Sequence, residues 1–305
     1  MRSECQARLI NQNNMAYLGN SFIPKFYVAS NYSSEDLILK FSLIFLVLDG
    51  STGWGLDIFM RIICVLMLAF DKYTSNKFFW LLISILLLFF NCIQFYNIDN
   101  HKILFVYWVL LITVYMWTNK DLEYIRLNAK LLIGLVMFFA AFQKIINEFA
   151  VPGFLHGSFL IDGRFMLITH FITDVPYQEL VDNRNSTKVL NLLPINNSSV
   201  SLTSSTYMGS LLYTFQIFGL IYESIVALLF LCSKTESIIK DIALIGFCIG
   251  TYFIFPVIGF SSILLLLGIA QCTVKFRKYY IIAFILLQFI IVPWQELIFY
   301  FKNAL

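Results

Sequence analysis

The sequence GLVMFFAAFQKIINEF, residues 134–149, places a lysine near the end of a long apolar run. Lys144 follows about two helical turns of apolar residues, and the polar pair Asn147–Glu148 comes about one turn later. An ionised side chain inside hydrocarbon costs at least about 2.5–3.5 kcal/mol on insertion scales. The stretch therefore predicts a membrane-spanning helix whose lysine needs a partner, a polar boundary or a chemical role.

The composition of the whole chain is typical of a membrane protein. Of the 305 residues, 59% are hydrophobic and 13% are charged, and the mean hydropathy is +0.79. Soluble domains carry about 25% charged residues, roughly twice as many. Long uncharged apolar runs recur between residues 36 and 301. They predict an all-α fold, a polytopic helical membrane protein with its spans in one bundle.

Charge and cysteine usage narrow the classes of partner. The formal net charge is +3, and the basic residues occur in short clusters between apolar runs, as charges that orient spans do. We therefore expect the lipid bilayer as a partner and no nucleic acid. The six cysteines lie mostly inside apolar runs without CxxC spacing, which predicts buried, reduced thiols. His156 and His170 have no third ligand at convincing spacing, so no metal site is expected.

The apolar runs predict about eight or nine transmembrane helices. The uncertainty concerns residues 36–48, a run shorter than the roughly 20 residues that a span needs. Residues 242–274 are too long for one span, and basic residues at both outer ends favour a hairpin of two spans. The predicted domains are a polar N-terminal tail, 1–35, and a transmembrane domain, 36–305. The runs after the first are 56–70, 77–97, 103–118, 130–148, 206–232, 239–255, 257–274 and 279–301.

Residues 149–205 form the long polar interval of the chain. The stretch GSFLIDGRFMLITHFI, 157–172, predicts an amphipathic or shallow helix, and the turn formers of 182–205 predict a loop. Basic residues are dense in 119–130 and sparse in 149–205, so the long interval is expected on the non-cytoplasmic side. We expect a multi-pass integral membrane protein, with the bacterial inner membrane favoured and the endoplasmic reticulum as the alternative.

Three charges within apolar runs require an explanation. Glu296 stands beside Trp294 near the end of the last run, which is typical of an interfacial anchor. Lys144 can either extend to the membrane surface near Glu148 or find a partner inside. Glu223 has more than a turn of apolar residues on both sides, so it pairs with a cation, is protonated or lines a wet cavity. Lys144 is the natural candidate for that cation.

Several segments, in this order, resemble one family. YNIDNHKILF, around Asn100 and His101, resembles an Asn-His segment that opens a span, and the stretch around Lys144 resembles a span that ends in a lysine. FGLIYESIVALLF resembles a span with an acidic residue, here Glu223, and YFIFPVIGFSSILLLLG resembles a later phenylalanine-rich segment. The family is that of the horizontally transferred transmembrane (HTTM) proteins, which share a membrane domain with the vitamin K-dependent gamma-carboxylase. The resemblance covers about residues 97–274.

The resemblance implies a quinone site. Lys144 falls on the lysine that, in the carboxylase, acts as the base toward reduced vitamin K or controls its deprotonation. A lysine in that role must be neutral before it accepts a proton. The implied cofactor is a reduced, vitamin K-like quinone, and an isoprenoid quinone is the implied small-molecule partner. The remaining residues expected to line the pocket or to pair there are Glu223, Gln143, Gln216, Asn100 and His101.

The chain also departs from the carboxylase pattern. Cys248 or a neighbour stands where that pattern has a histidine, Phe149 replaces a tryptophan, and Gln143 replaces a second lysine. The 305 residues leave no room for the large extramembrane domain that holds the propeptide in the carboxylase. We therefore expect a quinone- or lipid-binding redox or carboxylase-like enzyme rather than a carboxylase of protein substrates.

An alternative from another functional class stays open. The protein is then a non-catalytic membrane scaffold or a small transporter, in which Lys144 and Glu223 form a structural pair that fixes the register of two helices. No internal repeat supports transport, and signals of a broken helix occur only near Gly250–Gly259. The sequence identifies no protein partner.

Overall fold

The computed structural model describes residues 33–49, 56–93, 100–118, 121–148, 154–163, 165–190, 201–232, 237–254 and 258–291. Within these ranges all regular secondary structure is helical, which confirms the all-α prediction in its coarse form. The predicted polar tail lies almost entirely outside the described residues, and so does Glu296.

Thirteen helices follow one another along the described part of the chain. Two of them, α6 and α13, continue directly into a π-helical segment, Lys144–Glu148 and Leu287–Ile291 respectively. The helices are α1 (Ser34–Asp49), α2 (Leu56–Ala69), α3 (Asp71–Thr74), α4 (Lys77–Ile93), α5 (Asn100–Trp117), α6 (Leu122–Gln143), α7 (Phe154–Ile161), α8 (Met166–Ile172), α9 (Tyr177–Leu190), α10 (Met208–Cys232), α11 (Ile238–Ile254), α12 (Ile258–Gln271) and α13 (Val274–Leu286).

Three of the described helices are long and apolar enough to cross a membrane: α5, α6 extended to Ile146, and α10. Shorter apolar helices occur at Ile58–Ala69, Lys77–Ile93 and Gly259–Gln271. The prediction of eight or nine spans is therefore not confirmed by helix length and composition.

Helix α12 forms the centre of the main core. Every residue from Ser261 to Cys272 is buried, and the helix contacts α1, α5, α6, α11 and α13. The sequence explains this position, because a helix that is apolar all round has no face to present to water. Since other helices surround it, we infer that α12 packs against protein and not against lipid.

Polar side chains link the helices that pack around this core. The indole nitrogen of Trp108 on α5 donates a hydrogen bond to the hydroxyl of Ser42 on α1 at 2.9 Å. The hydroxyls of Ser84 on α4 and Thr113 on α5 lie 2.6 Å apart. Such bonds satisfy buried hydroxyls and fix neighbouring helices in register, as is common between helices that lack water contact.

The long polar interval is more structured than the sequence predicted. The stretch 157–172, expected as one amphipathic helix, is divided between α7 and α8, and the expected loop from residue 182 is helical as far as Leu190 within α9. Asn183 accounts for part of the difference, because its side-chain amide bonds both the N–H and the carbonyl of Thr203 at 2.9 Å. Helices α7 to α9 share a small core with the start of α10, made of Phe159, Leu160, Phe165, Met166, Val175, Leu180, Met208 and Leu212.

Candidate functional site

Helices α6 and α10 pack closely and run antiparallel. Two contacts show the direction: Gly134 on α6 faces Leu231 on α10, and Lys144, later on α6, faces Gly219 and Glu223, earlier on α10. A methyl group added at Gly134 would lie 2.7 Å from the Leu231 side chain, and one added at Gly219 would lie 3.4 Å from the Lys144 ammonium. The absence of a side chain at both glycines therefore lets the two helices approach and brings Lys144 against the backbone of α10.

Lys144 and Glu223 form an ion pair between these helices. The Nζ atom of Lys144 donates a hydrogen bond to Oε1 of Glu223 at 2.6 Å. The Glu223 side chain is 7% exposed, whereas the Lys144 side chain is 23% exposed. Hydrogen bonds between ionised groups are shorter and stronger than neutral ones. The pair therefore has a covered acidic partner and a basic partner that can still be reached from outside.

The helix changes its geometry at Lys144. Helix α6 is regular as far as Gln143, and the next five residues, Lys144–Glu148, form a π-helical segment. Widened turns of this kind are frequent at functional sites. The described contacts of the Lys144 ammonium are on α10, and the side chain of Glu148, its other candidate partner, lies outside the described part of the chain.

The other residues expected at the site occupy varied positions. Gln143 is exposed on the last turn of α6, and Gln216 is half-buried on α10, about two turns before Glu223. Asn100 is exposed as the first residue of α5, and the neighbouring His101 is half-buried. The structure thus brings Lys144 and Glu223 into direct contact and places Asn100 and His101 on a third helix.

Apolar side chains flank the pair along both helices. Phe142 and Ile145 are 48% and 56% exposed on either side of Lys144, and Phe218 and Ile221 are 61% and 53% exposed before Glu223. Large exposed apolar faces of this extent indicate contact with lipid or with a partner rather than with water. The accessible part of Lys144 therefore lies within an apolar surface.

On its other side α10 is tied to α11. The Tyr222 hydroxyl donates a hydrogen bond to the carbonyl of Ala243 at 3.1 Å. The same hydroxyl lies against Gly246, where a methyl group would approach it to 2.8 Å. The backbone that carries Glu223 is therefore held from both sides, by α6 through Lys144 and by α11 through Tyr222.

A second group of buried charges was missed in the sequence. Asp241 is buried in the first turn of α11, where its Oδ1 atom accepts hydrogen bonds from Gln271 on α12 and from the Tyr280 hydroxyl on α13. Lys240 and Arg277, two of the basic residues that flank the 242–274 segment in the sequence, are also buried. Two features of the sequence could have indicated this group: the polar Gln271 lies near the end of the uncharged run 242–274, and Asp241 lies just before that run.

Histidines contribute to the packing of the polar interval. The Nε2 atom of His156 on α7 lies 2.6 Å from the Ser204 hydroxyl, and Nδ1 of His170 lies 3.1 Å from the carbonyl oxygen of Val175. Within the described ranges, no three His, Cys, Asp or Glu side chains are grouped so that they could hold a metal ion. The histidines therefore link α7 and α8 to their neighbouring segments.

Comparisons with family models, with curated proteins and with solved structures find no match to this chain. The resemblance to the HTTM family consequently stays a prediction from the sequence, and the functional argument depends on the geometry of the site.

Proposed function

We propose that the protein is a multi-pass membrane protein of about eight or nine spans, related to the HTTM family, that binds a reduced quinone-like lipid beside Lys144. Lys144 would accept a proton from this ligand as part of a redox or carboxylase-like reaction. The bacterial inner membrane is the favoured location. The observation that carries the proposal is the 2.6 Å ion pair between Lys144 and Glu223, with the lysine as its more accessible member.

The ion pair between Lys144 and Glu223 is better explained by a chemical role of the two side chains than by a contribution to stability alone. A buried ion pair is weak evidence for stability, because the cost of removing two charges from water offsets their attraction. The register of α6 and α10 is also defined by the close contact between Gly134 and Leu231, which needs no charge. Ionisable side chains on apolar spans are costly, and those that occur generally serve binding, proton transfer or transport.

The residues at the pair fit a quinol in their chemistry. Lys144 supplies a hydrogen-bonding nitrogen at an apolar surface, and Phe142, Phe218 and Ile221 supply apolar area for a ring or an isoprenoid chain. A bound quinol supplies a hydroxyl group whose proton can leave. Gln143 and Gln216 lie on the same two helices and could orient such a ligand.

Glu223 gives Lys144 a way to act as a base. At 2.6 Å, a proton can pass directly from Nζ of Lys144 to Oε1 of Glu223, which leaves both groups neutral. In an apolar setting a neutral pair avoids the desolvation cost of two charges. The neutral amine of Lys144 can then take a proton from a neighbouring hydroxyl, while Glu223 keeps the first proton.

A Lys144→Ala variant tests the proposal. Its melting temperature and its binding of an isoprenoid quinol analogue would be measured in detergent, with Asn128→Ala, at a half-buried position near the other end of α6, as the control. We expect Lys144→Ala to melt at a lower temperature, because Glu223 loses its cation, but to remain folded and to lose quinol binding or quinone-dependent oxygen uptake. Full quinol binding by folded Lys144→Ala would refute the proposed site.

The structural alternative makes the opposite prediction. If the pair only braces α6 against α10, Lys144→Ala should unfold readily because it leaves Glu223 buried without its cation. A double variant, Lys144→Met with Glu223→Gln, should then restore stability. Quinol binding would be absent from the wild-type protein in that case.

A further inference from the structure

Charged and polar side chains near the other end of α6 form a group of their own, here called the Arg277 cluster: the half-buried Ser34 and the buried Lys240, Asp241, Gln271, Arg277 and Tyr280. Arg277 is 4% exposed on the first turn of α13. Its Nη1 atom donates to the Ser34 hydroxyl at 2.8 Å, and its Nε atom donates to the carbonyl of Ile269 at 3.3 Å. The side chain therefore joins the start of α13 to the start of α1 and the end of α12.

One nitrogen of this guanidinium, Nη2, is buried and has no oxygen or nitrogen acceptor among the described residues. The thiol of Cys272, a weak acceptor, also interacts with the guanidinium. An unsatisfied donor on a charged group costs more than the hydrogen bond alone, and native proteins rarely tolerate it without a reason. The Nη2 group therefore indicates a place where an acceptor, and best an anion, would be bound.

Three helix N-termini meet at the same place. Arg277 contacts Ser34, the first residue of α1, and Tyr280 on α13 contacts Asp241 in the first turn of α11 at 2.9 Å. The N-terminus of a helix carries a partial positive charge and favours anions. The N-termini of α1, α11 and α13 thus add positive potential around Arg277, and the C-terminal end of α12, at Ile269, partly offsets it.

The cluster contains buried groups of both signs. Arg277 is a buried base, and Asp241 is a buried acid whose Oδ1 atom accepts hydrogen bonds from Gln271 and Tyr280. The ammonium of the buried Lys240, next to Asp241 in the chain, lies over the Phe230 ring at 5.6 Å. Arg126 on α6 also acts electrostatically on Arg277, and its own charge is paired with Glu123 at 2.7 Å. Glu35, in the first turn of α1, is a further half-buried acid next to Ser34.

We propose that the Arg277 cluster binds the phosphate group of an anionic membrane lipid, with Nη2 of Arg277 as a principal donor. Lys275 is exposed on the same turn of α13, where it can attract an anionic leaflet. The positive-inside tendency places this end of α6 on the cytoplasmic side, where anionic lipids are enriched. Because Nη2 of Arg277 is shielded from water, its charge-assisted hydrogen bond to a phosphate oxygen would be stronger than one formed at the surface.

Native mass spectrometry of the full chain tests this proposal with phosphatidylglycerol and phosphatidylcholine as probes. We expect the wild-type protein to retain phosphatidylglycerol preferentially. Arg277→Lys, which keeps the charge but loses Nη2, should weaken that binding about tenfold, since one charge-assisted hydrogen bond supplies at least this factor. Lys278→Gln is the matched control and should change binding by less than about twofold, because exposed charges contribute little.

Three outcomes would overturn the proposal. Equal retention of phosphatidylglycerol and phosphatidylcholine by the wild-type protein excludes a site for the anionic headgroup. This result would contradict the proposal even if Arg277→Lys did not fold. An equal loss of phosphatidylglycerol binding in Lys278→Gln and Arg277→Lys assigns the effect to general surface charge. Binding of inorganic phosphate without any binding of phosphatidylglycerol assigns the site to a free anion and rejects the lipid.

Discussion

The Lys144–Glu223 pair and the Arg277 cluster both hold charges between helices, and they do so in different ways. In the pair, one cation meets one carboxylate at 2.6 Å, and the cation keeps 23% of its side chain exposed. In the cluster, Asp241 accepts hydrogen bonds from two side chains on two other helices, and the members other than the half-buried Ser34 are buried. In the pair, Lys144 stays accessible to a ligand. The Arg277 cluster instead joins the ends of several helices.

The glycines beside the two sites reflect this difference. Gly268 lies directly against the Tyr280 ring, so the cluster depends on a contact that no side chain could share. Gly219 lies at an ordinary contact distance from the Lys144 ammonium, 3.4 Å from an added methyl group. We therefore expect substitutions in the cluster to affect folding most, and substitutions at the pair to affect ligand exchange most.

Asp241→Leu should have the largest effect on stability. Its removal takes away the acceptor of Gln271 and Tyr280 in a buried, positively charged setting. Loss of one partner from a buried charged network costs about 3–5 kcal/mol. The change would be measured as the shift in thermal unfolding in detergent. Asp174→Asn, at an exposed position between α8 and α9, is the control and should unfold as the wild type does.

Gly268→Ala should come next, because the new methyl group would collide with the ring of Tyr280. Overpacking of a close-packed core costs about 1–3 kcal/mol. Gly250→Ala on α11 is the control, since its methyl group would meet nothing within 4 Å. That variant should be neutral or more stable by up to about 1 kcal/mol, because alanine favours helix. Equal melting temperatures for the two variants would contradict the packing at Tyr280.

Glu223→Gln should have an intermediate effect on unfolding. Lys144 retains partial exposure and can recover some hydration, so we expect a loss of about 1–3 kcal/mol and not the full cost of an isolated buried charge. The double variant with Lys144→Met should lose less than the sum of the two single variants, which a double-mutant cycle measures. Strict additivity would mean that the two side chains do not interact.

Gly219→Ala should have the smallest effect on stability and a selective effect on binding. The methyl group would reach the Lys144 ammonium at 3.4 Å and displace it by a few tenths of an ångström at most. We expect an unfolding temperature close to that of Gly157→Ala, whose methyl group would meet nothing within 4 Å. Quinol binding should weaken in Gly219→Ala alone. Equal quinol binding by Gly219→Ala and Gly157→Ala would show that Gly219 does not belong to the site.

The sequence predicted the helical class and the two charges of the pair, because both depend on local composition. Lys144 and Glu223 interrupt apolar runs, so their cost is visible without a structure. The burial of Lys240 and Arg277 was not predicted, because a basic residue at the end of a run looks the same whether other helices cover it or water does. The helices between residues 154 and 190 were incompletely predicted, because long-range contacts such as Asn183 to Thr203 stabilise a segment rich in turn formers.

Infrared difference spectroscopy tests the central claim most directly, because it reports the protonation of Glu223 when a reduced isoprenoid quinone is added. If Lys144 takes the proton of the quinol while Glu223 keeps its own, the carbonyl stretch of a protonated carboxyl group should appear on binding. It should shift in D₂O and be missing in Glu223→Gln. A wild-type protein that binds the reduced quinone without this band would contradict the account.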